Sequence, residues 1–171
     1  DVRQRISGAC DVIVSIGGAS VGDYDVVRSA FAAEGFTPVF EKIAMKPGKP
    51  TWFSAREATL ALGLPGNPAA AMVTAQLFLR PLIDALTNAP IEASAPVRAH
   101  TSTALHAAGN REEYLRSVLT IDAEGRANVV AAENQDSSLL SPFLTANALI
   151  RRPAGSPAAA EGDLVEIVML R

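Results

Sequence analysis

The pattern of hydrophobic and polar positions changes character once along the chain. Asp11 to Ile16 is a β-branched run that ends in Gly17-Gly18, which predicts a buried strand entering a tight turn. From Asp23 to about Glu34, Val26, Val27, Ala30 and Phe31 recur at helical spacing until Gly35 stops the pattern. Thr37 to Met45 reads as a strand. Lys46-Pro-Gly-Lys-Pro50 has to be irregular, because its prolines lack amide hydrogens and Gly48 admits unusual dihedrals. Thr51–Ser54 and Thr59–Leu64 predict two short strands of a hairpin. Asn67-Pro68 then opens a helix to about Leu86, bent at Pro81, with the Asn67 side chain accepting from the orphan amides of the first turn.

Strands alternating with helices predict an α/β sheet covered by helices, with ligands beyond the carboxyl ends of the strands. After Leu86 the pattern loses its helical period. Thr87 to Pro96 is rich in turn formers and reads as a linker, which divides the chain into residues 1–89 and 90–171. Beyond it, extended segments at Val97–Leu105, Tyr114–Ile121, Ala127–Ala132, Ala148–Arg152 and Leu164–Leu170 are punctuated by glycines and predict a small β-barrel domain. Ser138–Leu144 reads as a loop or short helix.

Composition narrows the function. The 171 residues are 49% apolar and 19% charged, which suits a folded chain with a core and excludes charge-driven disorder. A net charge of −3 leaves no broad cationic surface for nucleic acid or an anionic membrane, so any anion has to be held locally. The single Cys10 cannot form an intramolecular disulfide, which points to a cytoplasmic location. The longest apolar run, Ala69 to Leu79, is interrupted by Thr74 and Gln76 and predicts no membrane span. The chain opens on Asp1 without a basic-then-apolar leader, and is expected to be an internal fragment rather than an exported precursor.

Three turns carry candidate chemistry. Gly17-Gly-Ala-Ser-Val-Gly-Asp-Tyr-Asp25 lies between a strand and a helix, where bare backbone amides and the helix dipole suit a phosphate. Asp23 and Asp25 would repel that phosphate unless a divalent ion such as Mg2+ bridged them; taken alone, the segment is equally a glycine turn with an acidic helix start. Lys42, Lys46 and Lys49 place three ammonium groups in eight residues opposed only by Glu41, either an anion site or a solvated loop. Gly63-Leu-Pro-Gly-Asn-Pro68 again joins a strand to a helix start, where a self-satisfied cap is the simpler reading of the turn by itself. Agreement among three strand-end turns favours an anion site. No P-loop, dinucleotide fingerprint, zinc spacing or Ser-His-Asp set is present, and Glu112, Glu113 and Glu133 read as solvated charges.

At these turns the sequence resembles the molybdopterin molybdenumtransferase family, which includes the E domain of gephyrin. The segments Ser15–Asp25, Lys42–Pro50 and Gly63–Pro68 are similar to its three signatures in order, and Arg111–Arg116, Gln135–Ser141 and Ala146–Ile150 are similar to its C-terminal barrel. The resemblance implies an N-terminally truncated, partial three-layer α/β domain of the molybdopterin-binding, MogA-like kind, followed by a small β-barrel. It implies insertion of molybdate into adenylylated molybdopterin with release of AMP and help from Mg2+. Asp25 would be the acidic residue working with the metal, Asp23 its neighbour, and Lys46 the third catalytic candidate. Gly17, Gly18, Ser20 and Gly22 would line the phosphate and pterin pocket, Lys42 and Lys49 would face phosphate or molybdate, and Pro65, Gly66 and Asn67 would shape the opposite wall. Ile16 stands where the family often has Ser or Thr, and Ala19 where it has Val. Family dimers complete the cleft with a partner domain, so a homodimer is expected of the full-length protein and little activity of this fragment. An adenylyltransferase of the same core and a non-catalytic pterin-binding scaffold are the alternatives.

Overall fold

The computed structural model describes residues 10–18, 26–89 and 97–170. Its first half is a four-stranded sheet built from β1 (Val12–Ile16), β2 (Thr37–Phe40), β4 (Trp52–Arg56) and β5 (Thr59–Leu64) in the order β1-β5-β4-β2. β1 and β5 are parallel, while β4 pairs antiparallel with both β5 and β2, so the predicted hairpin of short strands is present. Helix α1 (Val26–Ala33) covers one face. The other face carries a helix from Pro68 to Leu86, made of α2 (Pro68–Thr74), a π-helical turn (Ala75–Leu79) and α3 (Arg80–Leu86).

Side-chain alternation along the sheet explains the layering. Ala61 of β5 and Trp52 of β4 face α1, where Phe31 meets Phe36 and Trp52 edge-on at 5.0 and 5.1 Å. Leu62, Leu64 and Phe53 face the other way, onto Ala71, Ala75, Phe78 and Leu79. Gly63 shares the α1 side with Trp52, and the indole occupies the place of a side chain: a Cβ there would lie 1.9 Å from Trp52 Nε1.

The strand expected over Thr37–Met45 divides. β2 ends at Phe40, and the two-residue β3 (Met45–Lys46) leaves the first sheet to pair in parallel with Glu112–Glu113, the first two residues of a long strand in the second half. Helix Pro68–Leu86 also departs in detail from expectation. Pro81 has no amide hydrogen and its ring crowds the carbonyl four residues back. The preceding turn widens, and Arg80 N–H bonds to Ala75 O five residues earlier. By length and composition alone the helix would suffice to cross a membrane, its apolar character extending beyond the Ala69–Leu79 run. Its first half is the packed part: the sheet lies on one side, and on another Val73, Leu77 and Phe78 pack on Leu149, Val168 and Tyr114 of the second half, while Ile83 and Leu86 near its end are exposed.

The second half is a closed five-stranded barrel of β6 (Val97–Thr101), β7 (Glu112–Ile121), β8 (Ala127–Ala131), β9 (Ala148–Arg152) and β10 (Leu164–Met169). β7 is long enough to pair with β8 at one end and β9 at the other, which closes the ring. Ile150 and Ile167 fill the interior with Val129, Ala99 and Val165, while their neighbours Leu149 and Val168 point outward onto the helix. Ser141–Leu144 is a short 3₁₀ turn. On the barrel surface Arg151 donates to Glu112 at 2.6 Å and to Glu166 at 3.1 Å, tying three strands together. Glu112 is therefore not the solvated charge expected.

Two outcomes follow for stability. Gly63→Ala should lower the unfolding free energy by about 1–3 kcal/mol, since fully buried Trp52 has no room to yield. Denaturation followed by the fluorescence of Trp52 reads this; an unchanged midpoint would remove Trp52 packing as the reason for glycine. The hydrogen bond from Arg151, then that from Tyr114, hold the Glu112 carboxyl below its ordinary value of 4.5 against a desolvation that raises it. A depressed carboxylate contributes stability above its unfolded value and loses it as pH falls through the folded one. Glu112→Gln should accordingly flatten the loss of stability below about pH 4.5. Parallel acid limbs in wild type and variant would contradict it.

Candidate functional site

A cleft of about 890 Å³ opens between the sheet and the barrel, and three elements of the first half reach it. The first is the turn after β1. Gly17 N–H bonds to Leu64 O at 3.0 Å, which continues the parallel pairing one residue past the strand ends and sets the β1 and β5 turns side by side. Gly17 and Gly66 approach so closely that a Cβ on Gly66 would stand 3.4 Å from the Gly17 Cα. The strand-end turns predicted separately are thus one wall.

The second element is the Lys42–Pro50 loop. Ile43 N–H closes it on Lys49 O at 3.1 Å, and both the amide and the hydroxyl of Thr51 bond to Gly48 O. Gly48 has φ 118°, and a Cβ there would meet the Thr74 methyl at 2.6 Å, so the loop lies directly on the helix. This backbone framework holds Lys42, Lys46 and Lys49 at the rim of one cavity. Lys46 pairs with Glu113 at 3.5 Å, its side chain 56% exposed, an ion pair worth little to stability between two residues that both line the cleft.

The third element is the start of the long helix. Asn67 does not cap it as predicted. Its side chain donates instead to Ser137 Oγ at 2.8 Å, and Ser137 O accepts from Ala69 N–H at 3.1 Å. The barrel thus supplies the acceptor that a cap residue would supply within the helix. Gln135, Asp136 and Ser137 form the facing wall with Arg111, Glu113 and Tyr114. Burial, aided by donation to Glu112, pushes the Tyr114 phenol up to about 12, so it stays protonated.

Gly17, Gly18, Lys42, Lys46, Lys49, Pro65, Gly66 and Asn67 are therefore brought to one cavity. Ser20, Gly22, Asp23 and Asp25 lie outside the described residues, as does Ala19. Reading the chain missed Arg28, Arg111 and the Gln135–Ser137 loop, and it took Glu113 for a solvated charge. Arg28 reaches the Glu41 carbonyl at 3.5 Å from α1. Five cationic side chains line the cleft against three carboxylates, in a chain of net charge −3. Among the described residues no carboxylate lies within ion-pair distance of Lys42, Lys49 or Arg111. Such a site can hold a multiply charged anion against backbone amides. Among the described residues no group of three His, Cys, Asp or Glu is placed for a metal, Glu113 is engaged by Lys46 and Asp136 by Ser138, and Asp25, the residue expected to work with Mg2+, lies outside the described residues.

Comparison with known proteins agrees with this geometry at both ends of the chain. Residues 1–85 match the family model described as a probable molybdopterin binding domain, and residues 98–170 match the MoeA C-terminal region, domain IV. A molybdopterin molybdenumtransferase of Nostoc is 34% identical over 99% of this chain and 39% of its own length. That of Haemophilus influenzae is 33% identical over 91% of the chain and 39% of its own length. The chain therefore spans about two fifths of these relatives. A crystal structure titled as a molybdopterin biosynthesis MoeA protein from Pyrococcus horikoshii superposes with a TM-score of 0.73 over 94% of this chain and 37% of that one, at 24% identity, and carries the same fold. Two consecutive family matches, a sheet and barrel in that order, and relatives named alike place this chain in the molybdopterin molybdenumtransferase family.

Proposed function

We propose that the cleft binds adenylylated molybdopterin together with molybdate, and that the protein to which these residues belong joins the two with release of AMP. The observation that carries this reading is the gathering of Lys42, Lys46, Lys49, Arg28 and Arg111 around glycine turns in one cavity of an otherwise anionic chain. Two dithiolene sulfurs replace two oxygens of molybdate, which leave as water. The anhydride that links AMP to the pterin phosphate takes up one water as it breaks. Both halves of the reaction crowd negative charge, and at short range in a partly enclosed site that repulsion is large unless fixed cations offset it.

In this reading Gly17, Gly18 and Gly66 let phosphate oxygens approach main-chain amides, and Pro65 and Asn67 shape that wall. Lys42, Lys49 and Arg111 face the anions. Lys46, paired with Glu113, is the catalytic candidate among the described residues. Asp25 with Mg2+, Asp23, and Ser20 and Gly22 in the same turn belong to the proposal on the strength of the family resemblance, and none of the steps above is routed through them. The division at residues 89 and 90, a cytoplasmic location and a homodimer that completes the cleft belong to the same reading. Because the relatives are about two and a half times longer, the 171-residue chain is expected to turn over little by itself.

The test supplies adenylylated molybdopterin and molybdate to a full-length protein carrying this chain and follows AMP. Release of AMP that requires molybdate supports the proposal. Binding without AMP makes the chain a pterin scaffold, and nucleotide transfer from ATP to free pterin makes it an adenylyltransferase; either result overturns it. Lys49→Gln should weaken molybdate binding about tenfold, the equivalent of one charge-assisted hydrogen bond, with the difference shrinking as salt is raised. Calorimetric titration measures it, and equal affinities at low salt would remove Lys49 from the anion site.

A further inference from the structure

One cation of the barrel points away from solvent. Arg116 on β7 is 1% exposed, one of the largest fully buried side chains of the molecule. Its surroundings are almost entirely a single loop. The Arg116 amide and Nε both donate to Gln135 Oε1, at 3.0 and 3.3 Å, while Gln135 Nε2 donates back to Arg116 O and to Ala132 O, each at 2.9 Å. Nη1 donates to Leu139 O at 2.8 Å, and Nη2 to Asp136 O at 3.0 Å and Asn134 O at 3.4 Å. The guanidinium carbon stands 5.6 Å from the centre of the Phe143 ring. Asp136 supplies the nearby negative charge, its carboxylate held by the amide and hydroxyl of Ser138.

We propose that Arg116 is a positioning residue: it folds the Asn134–Leu139 loop around its guanidinium so that Ser137 docks on the helix start and Gln135, Asp136 and Ser137 stand as the barrel-side wall of the cleft. The inference deepens the reading of the cleft as an anion site, and its structural part is testable apart from that reading. A loop of polar residues has no apolar reason to hold one shape. Here the donors fan out from one planar group to backbone carbonyls of Asn134, Asp136 and Leu139, which lysine, a point charge on a flexible stem, matches only in part. Without the guanidinium those carbonyls turn to water, and the contacts of Ser137 with Ala69 and Asn67 go with the loop, although neither touches Arg116.

Native-state hydrogen exchange on the 171-residue chain separates this from a general loss of stability. In Arg116→Gln the amides of Ala69 and Leu139 should exchange about tenfold or more faster, whereas Ile150 and Ile167 in the barrel ladder stay close to wild type. Arg116→Lys should recover part of the protection at both sites. Titration with sodium molybdate should find affinity lowered about tenfold in Arg116→Gln and partly restored in Arg116→Lys. Unchanged exchange at Ala69 in Arg116→Gln, or faster exchange by one common factor at all four amides, overturns the positioning role whatever the chain binds. Normal molybdate affinity in a variant whose loop has opened overturns the loop's part in the cleft. No binding of molybdate by wild type at any salt defeats the anion-site reading itself, while the exchange result still decides what Arg116 holds.

Discussion

The structure depends on one helix being packed against from two directions. Pro68–Leu86 offers Ala71, Ala75 and Leu79 to the sheet and Val73 and Leu77 to the barrel, with Phe78 touching both. A helix with a single apolar stripe serves one neighbour; two stripes let it serve as the shared core of two units. The π turn at Ala75–Leu79 fits this duty, because the extra residue in that turn changes the angular position of every side chain that follows. The cost falls at the helix start, whose amides face the junction. Ser137 meets it from the barrel side, so polar satisfaction and apolar burial enforce the same relative placement of sheet and barrel.

The cleft is a consequence of that placement. None of its walls is a site by itself. The β1 and β5 turns supply bare amides, the Lys42–Pro50 loop supplies charge, and the barrel supplies Arg111, Tyr114 and the Gln135–Ser137 loop. Their convergence relies on two unlike constraints. Parallel pairing of β1 with β5 carries Gly17 beside Gly66, and the two-residue strand Met45–Lys46 stitches the lysine loop onto β7. Lys46 and Glu113 are register partners in that small ladder, so the ion pair at the rim is a product of strand pairing rather than of attraction at a distance.

Much of the fold could be read from the chain because periodicity reports burial. β5 reads as a continuous apolar run and is flanked by strands on both edges, and four of the five barrel strands fall within two residues of their expected bounds, whereas β6 ends at Thr101, four residues before the expected Leu105. What could not be read involves partners distant in sequence. Asn67 looks like a helix cap by every local rule, yet its amide is spent on a serine 70 residues away. Thr37–Met45 looks like one strand, but a register shift between Pro38 and Phe40 interrupts its pairing and the last residues join the other sheet. The site divides along the same line. Glycine, proline and lysine turns announce themselves locally. Arg111 and Glu113 carry no local mark, because what makes them wall residues is the long β7 strand passing beneath a loop from the other half.

Arg116 and Arg111 show how little residue type says about role. They lie on the same segment, five positions apart. An odd spacing along a strand places two side chains on opposite faces, and Arg111 precedes the regular strand altogether. One therefore reaches the cleft while the other is sealed beneath the loop that forms the cleft's edge. Charge does different work in the two places. At Arg111 a cation facing solvent and a cavity of like-charged neighbours is poised to gain from an incoming anion, and its own desolvation is left for the binding event. At Arg116 desolvation occurs on folding and pulls the pKa down from its ordinary value, yet a guanidinium begins so high that it stays charged, and carbonyl dipoles repay the lost water. A neutral side chain of similar length could fill the same space without drawing Asn134, Asp136 and Leu139 toward one point. It is the number and fixed directions of the donors, not the positive charge alone, that turn a polar loop into a wall.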